Sequence, residues 1–308
     1  MAYSSGGLIA ATDYNGIVST TVGGNIAFVM GTGASQYGYG QDVSLISTVS
    51  ASGTVTAAQW AGLFYMVNRA LGHQGATRLA GGSNLNATSG STITYFANVA
   101  SAATSIFTNA ATYGTQGTTV TGSNFDDAVS TSTGLASAVY GARTVTFASG
   151  NAARYFFNAG GQLNYVVSTP TASGSTAQNV FIALINSLGG WGQKNTSSTG
   201  RTGSGYTLGT NSTTFGYRNN VLNSWTTVVS TTSTQSAYTS DTALLQVQTN
   251  SSDTTNGSNG ATVQFRCVYT MADHSWDDSI SVTHRSRVDI IPPETTYLTN
   301  SWGSITIT

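Results

Sequence analysis

Two segments near the C-terminal end of the chain alternate between apolar and polar side chains. Successive side chains of a strand point to opposite faces of a sheet, so a period of two predicts strands with one buried face. Together with apolar alternation at 243–247 and a β-prone stretch at 225–232, they predict an antiparallel β-sandwich or meander. The apolar positions are Val263, Phe265, Cys267, Tyr269 and Met271 in the first segment, and Ile280, Val282, His284, Val288 and Ile290 in the second.

Helical spacing is clearest in the first half of the chain. Thr56 and Gln59 fit a capping box, and the apolar residues from Trp60 to Leu71 recur three and four positions apart. Gly72 is predicted to end this helix in the left-handed conformation. A second long helix is predicted over residues 93–110, and the polar residues 111–134 are predicted to form a loop.

Residues 144–168 are the most apolar stretch of a polar chain. They predict a strand, a short capped helix and a second strand that share one core. Neighbouring aromatic residues are more often core than ligand pocket, so Phe156 and Phe157 are expected to be buried. Gly160 or Gly161 is expected to have a positive φ where the helix ends.

The order of these elements predicts an α+β protein with a mixed helix and strand module first and an antiparallel β module last. We assign residues 1–190 to an α+β assembly module with its core around 144–168. Residues 191–211 are rich in Gly, Ser and Thr and are predicted to be a linker or long loop. Residues 212–308 form the predicted β module.

The chain carries very little charge. Only 7% of its 308 residues are charged, against about 25% in typical proteins, and the net charge is −1. Nucleic acids and anionic membranes attract clustered Lys and Arg, so neither is an expected partner, and no run is long enough to span a bilayer. Removing water from a surface with few charges costs little free energy, because few ions lose their hydration. This favours the interpretation that the chain is a subunit of an assembly.

One segment has residue types that contact sugars. Asp273, Trp276, Asp277 and Asp278 lie together in the predicted turn between the two alternating strands. Tryptophan beside carboxylates suits sugar stacking, and glycoside cleavage would need two carboxylates about 5 to 9 Å apart. The alternative interpretation is an ordinary acidic turn. Residues adjacent in sequence do not assemble a catalytic triad, so hydrolysis by a catalytic triad is not expected here.

The remaining candidates are weaker. His284 faces the apolar side of its strand and could meet Cys267 on the neighbouring strand, but two ligands do not make a zinc site. A hydrogen-bonded core histidine is the preferred interpretation. The adjacent Asp126 and Asp127 are expected to be solvated rather than to bind a cation. The single cysteine excludes an internal disulfide, and no cofactor or metal is expected.

Three segments together resemble a family of virion structural proteins of tailed bacteriophages, especially phages of aquatic bacteria such as cyanophages. They are TVTAAQWAGLFYMVNRALGHQ, VTFASGNAARYFFNAGGQLNYVVS and VDIIPPETTYLTNSWGSITIT, and FFNAGG at Phe156–Gly161 is the most specific element. The resemblance implies a particle component and not an enzyme, present in several copies around a symmetry axis. It assigns no functional residues.

The expected function is therefore a structural subunit in the neck, tail, baseplate or fibre apparatus of a virion that is assembled in the host cytoplasm. Its expected partners are copies of itself, with a trimer as the favoured homo-oligomer, other virion proteins and a host surface. Two alternatives stay open. One is a capsid decoration protein, and the other is a tail protein that binds or depolymerises host glycans through the Trp276 segment.

Overall fold

The computed structural model describes residues 10–19, 26–33, 37–80, 96–193, 207–208, 224–250, 260–272 and 279–308. The helices are α1 (Ala11–Val18), α2 (Ile26–Met30), α3 (Ala57–His73), α4 (Phe96–Thr108), α5 (Gly150–Asn158) and α6 (Thr176–Leu188), with a 3-10 turn at Ser44–Ile46. The strands are β1 (Phe125–Thr131), β2 (Leu135–Phe147), β3 (Gln162–Ser168), β4 (Gly190–Gln193), β5 (Thr207–Leu208), β6 (Thr226–Thr232), β7 (Thr242–Thr249), β8 (Thr262–Met271), β9 (Ile280–Ile291) and β10 (Ile305–Ile307).

The strands form two antiparallel sheets. The small sheet has the order β1-β9-β3-β4, and the large sheet has the order β10-β2-β8-β7-β6-β5. Helices dominate the N-terminal part and strands the C-terminal part, so the predicted α+β class is confirmed. Strands β6, β7 and β8 follow one another as a meander in the large sheet.

The two sheets pack against each other through the faces that the alternating pattern predicted to be buried. The ring of Tyr165 on β3 stacks on that of Phe265 on β8, with centroids 5.1 Å apart and planes 5° apart. On β7 and β8 every second residue is buried, and the residues between them are half-buried or, at Thr270, exposed. The shared core between the sheets follows from this period of two.

The pairing of the two alternating segments differs from the prediction. Strand β8 pairs with β2 and β7, whereas β9 lies between β1 and β3 in the other sheet. Cys267 and His284 are therefore not on neighbouring strands. Two strands with one apolar face each can bury those faces by facing one another across a core as well as by lying side by side, and their sequence does not distinguish the two.

The predicted loop over residues 111–134 is also wrong in part, because Phe125–Thr131 is strand β1. All seven of its residues pair with β9, from Phe125 opposite Ser286 to Thr131 opposite Ile280. Its own sequence is a weak strand signal, since it includes two aspartates. The pairing partner supplies the missing stabilisation, including an ion pair between Asp126 and Arg285.

Helices α1 to α4 form a cluster with its own buried face. The capping box of Thr56 and Gln59 is present at the start of α3, and the predicted apolar positions from Trp60 to Leu71 are buried. The predicted end at Gly72 is wrong: α3 continues to His73, and the residue with positive φ is Gly75. A Cβ on Gly72 would lie 2.5 Å from the ring of Tyr297, so this glycine permits close packing instead.

The segment over residues 144–168 has the predicted form. It contains the end of β2, helix α5 and strand β3. Phe156 and Phe157 are buried in contact with Phe147, and Gly160 has a φ of 89°. The aromatic residues thus fill the core and do not line a cleft.

Both sheets combine strands from the two predicted modules. In the small sheet β9 lies between β1 and β3, and in the large sheet β2 lies between β10 and β8. The predicted linker begins with residues of β4, which pairs with β3 and buries Trp191, while residues 194–206 lie outside the described residues. The sheets therefore do not divide at the predicted linker.

The C-terminal segment, residues 292–304, connects β9 to β10 and binds the helical cluster on the way. Gln41 accepts hydrogen bonds from the backbone N–H of Thr299 (2.7 Å) and from Arg69 (2.9 Å). Its amide donates to the Thr299 carbonyl at 3.0 Å. Contacts between residues about 258 positions apart thereby join the helices to the sheets.

Candidate functional site

The segment with Asp273, Trp276, Asp277 and Asp278 lies outside the residues that the structure describes. The described residues on either side of it are fixed. The N–H of Ala272 donates to the carboxylate of Asp241 at 2.9 Å, and the carbonyl of Ser279 accepts from the hydroxyl of Ser175 at 2.6 Å. The segment follows β8 and precedes β9, and the two residues that flank it bind Asp241, just before β7, and Ser175, the N-cap of α6.

A groove of about 430 Å³ lies beside these anchor points, because its lining includes Thr176, next to Ser175, and Ser233, whose N–H donates to the Asp241 carbonyl at 2.9 Å. We call it the α6 groove. Its floor includes Val180 and Leu184, its rim carries hydroxyl and amide side chains, and no charged residue is among its described lining residues. Such a lining suits an uncharged ligand that presents both hydroxyl groups and C–H surface. The lining residues are Thr176, Asn179, Val180, Ala183, Leu184, Ser187, Thr232, Ser233, Thr234 and Gln235.

A buried polar cluster lies between the two sheets. His284 Nε2 is 3.0 Å from the hydroxyl of Tyr269, and the hydroxyl of Tyr165 is 3.5 Å from the sulfur of Cys267. Tyr165 also donates to the Gly141 carbonyl at 2.7 Å. His284 and Cys267 thus belong to one cluster, although they reach it from opposite sheets.

Burial makes this cluster unreactive near neutral pH. It raises the pKa of Cys267 to about 12, so the thiol stays protonated, and it lowers the pKa of His284 to about 4. Burial also raises the pKa of Tyr165 and Tyr269 well above the ordinary value. Only the thiolate of a cysteine is nucleophilic, so the cluster stabilises the core and the predicted core role of His284 agrees with its position.

His73 is the last residue of α3, but its side chain is not exposed to solvent. It is buried, and its Nδ1 lies 3.1 Å from a carboxylate oxygen of Glu294 in the C-terminal segment. Burial would raise the pKa of Glu294, but hydrogen bonds from His73 and from the N–H groups of Tyr297 and Thr296 outweigh it and lower that pKa. The pair fixes the C-terminal segment to α3.

Asp126 and Asp127 are engaged by protein groups. Asp126 forms a two-pronged pair with Arg285 at 2.7 Å, and Asp127 accepts from the N–H of Gly141 at 2.7 Å. Asp126 is the more solvent-exposed of the two, and the hydrogen bonds from Arg285 lower its pKa. Within the described residues, no group of three or more metal-binding side chains comes together.

The sequence did not indicate a second groove, of about 770 Å³, beside α3. We call it the arginine groove. The guanidinium carbon of Arg69 lies 5.5 Å from the ring centre of Tyr65, and that of Arg78 lies 5.7 Å from that of Tyr297. Its described lining consists of Phe64, Tyr65, Asn68, Arg69, Arg78, Leu79, Thr296 and Tyr297.

The arginine groove depends on long-range packing. Arg69 donates to the carbonyl of Tyr297 at 2.6 Å across 228 residues of sequence. The sequence indicates only that Arg69 is a cation near the C-terminus of a helix, where the helix dipole favours positive charge. The one available signal was that two arginines lie within ten residues in a chain with only 10 basic residues.

Comparisons with known proteins give no identification. No family model, no curated protein and no solved structure matches this chain. In the described part of the chain, no helix has the length and apolar character needed to cross a membrane.

Proposed function

We propose that this chain is a non-enzymatic structural subunit of a tailed-phage virion, in the neck, tail, baseplate or fibre apparatus, that acts through protein-protein assembly. The proposal rests first on the resemblance of the segments around α3, α5 and the C-terminus to virion structural proteins. It locates the protein in the virion, as a homo-oligomer, with a trimer as the favoured state.

The observation that carries the proposal is the low charge. With 10 basic and 11 acidic residues in 308, most of the surface is made of hydroxyl, amide and apolar groups. Several of the charges are already paired with one another within the chain, as Arg285 is with Asp126 and Arg287 with Asp289. Contact with a neighbouring subunit then removes few ions from water, which keeps the cost of burying the surface low.

Strand β10 offers a specific assembly edge. It pairs with β2 on one side and is the outermost described strand of the large sheet. Its sequence, Ile-Thr-Ile-Thr at 305–308, has neither charge nor proline, which are the features that usually block pairing with another chain. A strand from a neighbouring subunit would extend the large sheet here.

Peptide mass mapping of purified virions tests the proposal. Peptides of this chain should be present in several copies per particle, and their absence from intact particles would contradict the proposal. A cryo-EM map of the same particle separates a neck, tail, baseplate or fibre position from the alternative of a decoration protein, which would occupy lattice positions on the shell.

A second candidate function is binding or depolymerisation of a host glycan. The α6 groove favours it, because its described lining is uncharged and rich in hydroxyl groups and includes neighbours of Ser175 and Asp241, which bind the residues that flank the Trp276 segment. The isolated protein should then bind or shorten host polysaccharide, and Trp276→Ala should abolish this. A matched Trp225→Ala variant serves as the control, and wild-type protein that neither binds nor shortens the polysaccharide rules this function out.

A further inference from the structure

The arginine groove contains two cations, Arg69 and Arg78, that have no ion-pair partner among the described residues. Arg143, Arg285 and Arg287 each pair with an aspartate of the fold. Within the described residues, by contrast, neither Arg69 nor Arg78 forms an ion pair. The side chain of Arg69 donates to the Tyr297 carbonyl and the Gln41 amide oxygen, which are both neutral.

The acidic group closest along the C-terminal segment is unavailable. Both carboxylate oxygens of Glu294 are occupied, one by His73 and the other by the backbone N–H groups of Thr296 and Tyr297. The chain that follows the groove, residues 81–95, contains no Asp or Glu in its sequence. Neither Glu294 nor residues 81–95 therefore neutralise the positive charge of the groove.

The two arginines differ in how firmly they are held. Arg69 is fixed by hydrogen bonds to two elements of the fold. Arg78 is exposed, makes no hydrogen bond with the described residues, and its guanidinium lies over the ring of Tyr297. Arg69 is therefore preorganised, and the ring of Tyr65 beside it is exposed. The side chain of Arg78 can reorient to contact a ligand.

We propose that the arginine groove binds an acidic segment of a neighbouring protein subunit, with Arg78 donating two hydrogen bonds to an Asp or Glu carboxylate of that segment. The guanidinium fork matches a carboxylate in this two-pronged geometry, and Arg285 with Asp126 already shows it elsewhere in the chain. The proposal rests on the proposed function, since a structural subunit must contact neighbours.

Aromatic residues and arginine favour a protein ligand over other anions. Tyr and Arg, together with Trp, are enriched among the central interface residues that supply much of the binding energy. Nucleic acid would need a longer row of basic groups than two arginines provide. The exposed ring of Tyr65 and the half-buried Leu79 also give the apolar side chains of a peptide a surface to cover.

Binding of labelled peptides to the full chain, followed by fluorescence anisotropy, tests the proposal. The probe is acetyl-Ser-Trp-Asp-Asp-Ser-amide, and the neutral control has Asn in place of each Asp. We expect the acidic peptide to bind at least about tenfold more tightly than the neutral one, as the loss of charge-assisted hydrogen bonds predicts. Its affinity should also fall as NaCl is raised from low to physiological concentration.

Variants assign the binding to the groove. Arg78→Ala should weaken binding of the acidic peptide about tenfold, Arg78→Lys should keep part of the affinity, and Tyr65→Ser should weaken binding of both peptides. Arg78 and Tyr65 are exposed, so the fold should tolerate these changes. Arg285→Ala removes the same charge elsewhere on the surface and should bind as wild type does.

Three outcomes overturn the proposal: equal affinity for both peptides, no effect of Arg78→Ala, or no binding of either peptide. A trigalacturonate probe provides the carboxylate on a sugar, and its binding in the absence of peptide binding would assign the groove to an acidic saccharide instead. These measurements use the isolated protein, so their failure is distinct from absence of the chain from virions.

Discussion

Glycine 160 shows how much one backbone conformation constrains the core. Its φ of 89° is a conformation that other residues rarely adopt, and a Cβ there would lie 2.5 Å from the ring of Tyr113. The neighbouring Phe156 and Phe157 of α5 pack against one another and against Phe147 of β2. The backbone at the end of α5 therefore cannot shift easily to make room for a Cβ. The turn from α5 into β3 therefore requires glycine at this position.

Gly160→Ala should reduce the free energy of unfolding by more than about 1 kcal/mol, because it adds both backbone strain and a clash. Gly16→Ala is the matched control: Gly16 is exposed in α1, with no atom within 4 Å of a new Cβ. That variant should be stabilised by up to about 1 kcal/mol. Urea unfolding measures both, and equal effects would contradict the role of Gly160.

His284 should make the fold sensitive to acid. Its pKa is lowered from 6.5 to about 4 in the folded protein, chiefly by burial. The unfolded chain therefore binds more protons between these values, and stability falls as the pH decreases from about 6.5 to 4. Above about pH 6.5 the lowered pKa of His284 contributes on the order of 3 kcal/mol to the free energy of unfolding.

His284→Gln should flatten the pH dependence of the unfolding free energy in this window, while leaving an amide within reach of the Tyr269 hydroxyl. Glu294 changes stability in the same direction, since its pKa is also lowered in the fold. The difference between the wild-type and His284→Gln profiles isolates the histidine. Parallel profiles would show that His284 does not titrate differently on unfolding.

At the scale of elements, helix α5 illustrates local determination. Ser149 has an extended backbone, and its hydroxyl accepts from the N–H of Ala152 at 3.0 Å. The cap fixes where the helix starts, and therefore which of its residues face the core. The capping box of Thr56 and Gln59 fixes the start of α3 in the same way.

Ser149→Ala should destabilise the protein by about 1 kcal/mol, because one N–H at the start of α5 loses its partner. Ser149→Asp keeps an acceptor at this position and adds a favourable charge at the helix N-terminus, so it should retain most of the stability. Thermal unfolding followed by circular dichroism compares the two. Equal loss in both variants would mean that the cap does not stabilise α5.

At the scale of the whole molecule, the C-terminal segment joins the helical cluster to the sheets. It leaves β9, binds Gln41, Arg69 and His73 of the helical part, and returns to pair β10 with β2. This connection also builds the arginine groove, because Tyr297 forms one of its walls. The arginine groove therefore forms only when the C-terminal segment packs against the helical cluster.

Gln41→Ala should reduce the unfolding free energy by at least about 2 kcal/mol, since it leaves the Thr299 N–H and a guanidinium N–H of Arg69 without an acceptor. Gln235→Ala removes the same side chain from an exposed turn and should change little. The unfolding midpoint in urea should shift for Gln41→Ala alone. No difference between the variants would show that the segment is held by other contacts.

Local patterns of the sequence determined which residues form most elements and which face they bury. The capping residues, the three-and-four spacing of α3 and α4, and the alternation of β8 and β9 each act over one element, because side-chain direction repeats with the backbone geometry. The buried Phe156 and the positive φ of Gly160 were predictable for the same reason.

Tertiary structure alone decided which strands pair and where charges meet. Strand β1 exists because β9 pairs with it, and β8 faces β9 across the core although the two are consecutive in sequence. The arginine groove likewise depends on contacts between residues more than two hundred positions apart. Local sequence fixes the conformation of an element, whereas the choice among partners depends on the free energy of packing the whole chain.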